Sequence, residues 1–180
     1  MIETALPSGA DIGPFFGELR LALDGYLAAE PTAPVRSFRE IVDLNVVTPA
    51  VGGFLSELAA VTSLDIDAYR AALEGRHRYR DAVVALMDEH DLDAIAYPAS
   101  SSQAALIAGD PSRFDCGSAA YGGLPAMVVP AGFTSGGLPI GLELMGRPFA
   151  EPTLIAVAAG YEAHTDHRNL PPTTPALDAG

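Results

Sequence analysis

Residues 121–170 read YGGLPAMVVPAGFTSGGLPIGLELMGRPFAEPTLIAVAAGYEAHTDHRNL, and this stretch decides the fold. PAMVVPAGF and LPIGLELMG are short apolar runs of strand length. Between them stand Thr134, Ser135, Gly136 and Gly137, a turn sequence, so the two runs predict a joined pair of strands. From Glu151 to His164 the spacing becomes helical and predicts an amphipathic helix. The proline-rich tail, residues 171–180, is expected to be irregular.

Upstream the pattern is repeated once as a strand and otherwise as helices. LDAIAYP, ending at Pro98, is short and apolar and predicts a buried strand. It is followed by a loop of small and polar residues, and Phe114–Gly122 predicts a short helix. Before it, Asp67 to about His90 carries an apolar stripe of Tyr69, Leu73, Tyr79, Val83, Leu86 and Met87, with Asp65 or Asp67 as its cap. Pro49–Ala60 and Phe38 to about Asn45 predict two shorter helices. Ser37 and Glu40 stand at capping-box spacing ahead of the second. Gly13–Ala29 predicts another helix, closed by Pro31 and Pro34. Residues 1–12 read as an irregular lead-in. Helices, then strands, then a helix give an α/β layer protein, expected as a single domain over residues 1–180 with a mixed sheet and flanking helices.

Composition narrows the function classes. The chain has 180 residues, half of them apolar, which is enough for one sizeable core. Its net charge is −13, with ten arginines and no lysine. Such a surface disfavours phosphate backbones and anionic headgroups, so neither nucleic acid nor membrane is an expected partner. No apolar run approaches about 20 residues, and the first residues lack a signal-peptide pattern. A cytoplasmic location is therefore expected. Cys116 is the sole cysteine, so no intrachain disulfide forms.

Four motifs in the opening stretch occur in a fixed order: Gly123–Ala126 (GLPA), Pro130–Phe133 (PAGF), Gly137–Gly141 (GLPIG) and Gly146–Phe149 (GRPF). Together they resemble the C-terminal signature of the amidase signature family, which runs GLPA, PAGF or PCGF, a glycine turn, then GLPVGLQLMGRPF. Upstream, PVRSFREIVDLN is similar to that family's "PVRSL…DLIxFN" segment, and LDAIAYPAS to its "DALLxPT" strand. The resemblance covers Phe15 to Leu170 and implies the C-terminal half of an amidase. It also implies that the loop after LDAIAYP and the segment before GLPA face a substrate cleft. Ser100, Ser101, Asp115 and Tyr121 are the candidate substrate-binding residues on that basis. Glutamine-using members place an acidic residue before the GLPA turn; Asp115 lies near that place at a different spacing. Arg147 is expected in a structural ion pair or as a cap on a carbonyl.

The resemblance also shows what these residues do not contain. Family chemistry uses a serine nucleophile, a second serine in a cis peptide and a lysine base, in an N-terminal GGSSGG-like region. A lysine serves as base when desolvation lowers its pKa. This chain has none, and arginine stays protonated. Its serine run, Ser100–Ser102, lacks flanking glycines. No catalytic residue of the family is therefore expected here, and none of its chemistry from the chain alone. No metal or organic cofactor is implied. The expected partners are a small amide substrate and an N-terminal amidase half, or a second copy. Three alternatives stand beside this reading. One is a portion of the A component of a glutamine-dependent amidotransferase. Another is a non-catalytic remnant or binding module, and the third is an independent hydrolase using Cys116. His164 and His167, with Asp166 between them, suit a solvated helix end better than a metal site.

Overall fold

The computed structural model describes residue 6 and residues 13–100, 102–104 and 117–170, without the side chains of residues 49–50. The expected lead-in apart from Leu6, the 105–116 segment and the 171–180 tail lie outside them. The chain forms two compact units, residues 8–78 and residues 1–7 with 79–180. No helix among the described residues is long and apolar enough to cross a membrane.

The first unit is helical. It holds α1 (Gly13–Ala29), α2 (Phe38–Asp43), α3 (Pro49–Ala59) and the start of α4 (Ile66–Glu89). Its core is Phe38, Leu58 and Ala59, with Phe16, Leu23, Val42, Leu55 and Val61 packed around them. Ser37 caps α2 by accepting from the Glu40 N–H at 3.2 Å. Glu40 reaches back and accepts from the Arg36 N–H at 2.7 Å, one residue beyond the usual capping-box partner. Asp24 ties α1 to α2: it accepts from the Phe38 N–H at 2.7 Å and pairs with Arg20 at 2.9 Å. Of the two candidate caps for α4, Asp65 is used. Its Oδ1 accepts from the N–H groups of Asp67 and Ala68.

The second unit is built on a three-stranded sheet in the order β1 (Ala94–Pro98), β3 (Pro139–Gly146), β2 (Ala126–Phe133). Both strand pairs are antiparallel. The α/β reading stands, but no described pair runs parallel, so the sheet here is antiparallel and not mixed. The reason is local: the Thr134–Gly137 turn folds β3 straight back along β2, and β1 takes the far side of β3. In that turn the Thr134 N–H donates to Leu138 O at 2.8 Å, and Gly137 adopts a φ of 80°, which glycine tolerates. A bulge falls between Pro130 and Gly132.

Alternation splits the sheet's side chains between two cores. Val129 and Leu144, with Met127, Leu142 and Ala94, pack with Leu154 and Ala158 of α6 (Glu151–Ala163). Met145, with Ile95 and Tyr97, packs with Tyr79 and Val83 of α4, Ala119 of α5 (Gly117–Gly122) and Leu124. Gly146 allows α6 its close approach, since a Cβ there would lie 3.0 Å from Leu154 Cγ.

Arg147 meets both expectations. Its guanidinium pairs with Asp88 at 2.5 Å and donates to the Leu92 carbonyl at 3.3 Å. Asp91, at φ 51°, ends α4 in the left-handed region, and the Leu92 N–H closes back on Met87 O. Arg147 thus fastens the end of β3 to the end of α4.

Met145 is fully buried, and Ile155, on the outer side of α6, is 55% exposed. Met145→Ala is expected to lower the unfolding free energy by about 2–5 kcal/mol. Ile155→Ala should stay within about 0.5 kcal/mol. Urea denaturation of both variants checks the assignment.

Candidate functional site

Of the candidate site residues, Ser100 and Tyr121 are described, and both fall on the second unit. Ser100 follows β1 and is exposed. Its hydroxyl donates to Ser102 O at 2.9 Å and lies 3.3 Å from the Ser102 N–H, a local turn that holds the loop leaving β1. Tyr121 lies in α5 and is half-buried, its ring edge-on to Tyr79 with centroids 5.3 Å apart. Ser101 and Asp115 lie outside the described residues, as does Cys116.

Ser100 and Tyr121 are not brought together. The Ala99 N–H bonds Gly141 O at one end of β3, whereas Tyr121 packs on the cluster that contains Met145 near the other. Four residues of strand separate those ends, roughly 13 Å. The two residues flank the sheet along its length; they do not make one contact cluster.

Between them lies a polar group that the sequence reading did not single out. Glu143, at the middle of β3, is 3% exposed and faces Tyr97 on β1 and Val128 on β2. The Tyr97 hydroxyl donates to Glu143 Oε1 at 2.6 Å. A buried carboxylate is costly without such a donor. One signal was available: Glu143 is two residues from Met145, so strand alternation puts it on the inward face. It also stands where the family motif GLPVGLQLMG has Gln, so a carboxylate replaces an amide on a buried strand position. The Tyr79 hydroxyl, in the same apolar cluster, is buried without a hydrogen-bond partner among the described residues.

At the Gly141 end, the sheet carries a trough of about 460 Å³. Ala99, Val128, Phe133, Ile140, Gly141 and His167 are among the residues that line it. Gly141 must lack a side chain here, because a Cβ would lie 2.7 Å from Val128 Cγ1 and 3.1 Å from Ala99 Cβ. His164 Nδ1 is 2.8 Å from Gly160 O, and the His167 ring lies 6.1 Å from that of Tyr161. No group of three or more metal-ligating side chains occurs among the described residues.

These features place the chain in the class of α/β layer proteins with small-residue turns at the strand ends. Comparison with known proteins gives the particular family. The Amidase family profile matches residues 46–155. The chain is 30% identical over 171 residues to a probable amidase of Arabidopsis thaliana, covering 91% of this chain and 31% of that protein. It is 52% identical over 54 residues to the A component of the glutamyl-tRNA(Gln) amidotransferase of Desulforudis audaxviator, covering 29% of this chain and 11% of that one. Among solved structures, native peptide amidase from Stenotrophomonas maltophilia superposes with a TM-score of 0.72 at 29% identity, over 87% of this chain and 33% of that one. An amidase family protein from Bacillus anthracis superposes at 0.74 and 18% identity, a likeness of fold. The chain belongs to the amidase family. It spans about a third of the plant and Stenotrophomonas relatives, less than the half that the motifs implied.

The Tyr97–Glu143 pair is open to a direct check. Tyr97→Phe leaves the carboxylate short of its donor and is expected to cost about 1–3 kcal/mol of stability. Glu143→Gln keeps an acceptor and should cost less than about 1 kcal/mol. Equal losses, measured by denaturant unfolding, would contradict the assignment of Tyr97 as the donor that offsets burial of the charge.

Proposed function

We propose that this chain is the C-terminal portion of an amidase that hydrolyses a carboxamide to a carboxylate and ammonia or an amine. The observation that carries the reading is the family match over a chain that contains no lysine. The acyl-enzyme serine, its cis-peptide serine partner and the lysine base come from protein outside these residues. The chain alone is inactive. Its share of the site is substrate contact, through Ser100, Ser101, Asp115 and Tyr121, at positions that the family resemblance turns toward the cleft. The lone cysteine suits a reducing, cytoplasmic setting. No metal or organic cofactor takes part in this scheme.

A second reading is favoured by the 52% identity to the A component of an amidotransferase over 54 residues. The same residues would then serve an assembly that releases ammonia from glutamine and passes it to a second site. Glutamine dependence separates this reading from simple amide hydrolysis.

The test is turnover of a carboxamide panel by the isolated chain and by the assembly recovered through it from its own cells. Activity is expected only in the assembly. There, Ser100→Ala is expected to raise KM with kcat little changed, as loss of uniform binding requires. Turnover by the isolated chain would contradict the proposal.

A further inference from the structure

Glu143 carries a charge where packing asks for none. It is 3% exposed at the middle of β3, and burying a carboxylate has a free-energy cost that an apolar side chain would not have. What the carboxylate adds is direction. The Tyr97 hydroxyl donates to its Oε1 at 2.6 Å, within the short range of a charge-assisted bond. The same two residues face each other across the β1–β3 ladder. The Ala99 N–H bonds Gly141 O at 2.9 Å, so by antiparallel alternation Tyr97 and Glu143 also form a hydrogen-bonded backbone pair. Tyr97 is thus held to β3 at both its backbone and its tip.

That hold falls where β1 has little else. Among the described strands β1 has one neighbour, β3. At its start, Ile95 packs on the cluster that contains Met145, and Ala94 on the one that contains Leu144. Toward its end, Ala96 and Pro98 are exposed. Ala99 then offers only a methyl group, and Gly141 opposite it has no side chain. Among the described residues, the Tyr97 hydroxyl makes the last side-chain hydrogen bond from β1 to β3 before Ser100. Three residues of strand, roughly 10 Å, lie between that tie and Ser100.

We propose that Glu143 is a positioning residue: acting through Tyr97, its carboxylate fixes the exit of β1 and so holds Ser100 in place for substrate. The inference rests on the amidase reading above, in which Ser100 contacts the carboxamide, and deepens it by naming what places that contact. Glu143 itself touches no substrate. Gln at this position keeps an acceptor for the Tyr97 hydroxyl, whereas Leu keeps bulk and no acceptor.

The experiment compares Tyr97→Phe, Glu143→Leu, Glu143→Gln and Met145→Ala in the assembly recovered through the chain from its source cells. Steady-state carboxamide turnover and hydrogen exchange of the Ala99 amide are both read. Tyr97→Phe and Glu143→Leu are expected to raise KM about fivefold with kcat little changed, the size that one hydrogen bond supports. Ala99 exchange should quicken by a similar factor, while that of Leu92, which bonds Met87 O, stays unchanged. Glu143→Gln is expected within about twofold of the unaltered chain on both readouts. Met145→Ala removes core packing two residues away on β3 and should leave KM unchanged. An unmoved KM in Tyr97→Phe and Glu143→Leu, an equal rise in Met145→Ala, or a Glu143→Gln variant that behaves like Glu143→Leu would each overturn the proposal. An unaltered assembly that turns over no carboxamide would sink the amidase reading instead. Ala99 exchange would then decide alone whether Glu143 sets the exit of β1.

Discussion

Strand β3 is the constraint on which the second unit depends. It lies between β1 and β2, so every strand pairing in the described sheet passes through it. Its consecutive residues Glu143, Leu144 and Met145 are all buried, yet they serve different cores. Alternation sends Leu144 toward α6 and Met145 toward α4 and α5. A slip of one residue would exchange those faces, and Glu143 would lose Tyr97. Glycines then set how close the layers come. Gly146 admits Leu154, and Gly141 admits Val128 and Ala99. The repeated small residues of the motifs are therefore packing requirements.

That packing explains how much could be read in advance. The helices from Gly13, Phe38, Pro49 and Glu151 were legible because proline, glycine and capping residues bound them locally. So was the β2–β3 pair, whose turn is written in Thr134–Gly137. Strand direction across β1 was not legible, because no local signal fixes which edge of β3 it joins. The expectation of a mixed sheet failed there. The Tyr97–Glu143 bond escaped for the same reason: its partners are 46 residues apart and meet only through the β1–β3 register. Arg147 was legible as a structural ion pair or carbonyl cap, but Asp88 and Leu92 as its partners were not.

The candidate site was legible only in part. Motif order pointed to the loop after β1 and to the segment before Gly123, and Ser100 and Tyr121 stand at those places. The structure sets them at different ends of the sheet. A single substrate contacting both would have to extend along it, or meet them through residues supplied from elsewhere. The family's lysine base has no counterpart among these 180 residues. None of the ten arginines can take a proton near neutral pH.

The central claim is that these residues are one part of a larger amidase. It is tested most directly by the intact mass and peptide map of the native protein that carries them. The expected result is a polypeptide about three times as long, in proportion to the relatives' lengths, or a tightly bound second chain with a glycine-flanked serine pair and a lysine. A lone 18.6 kDa species with no bound partner would contradict it.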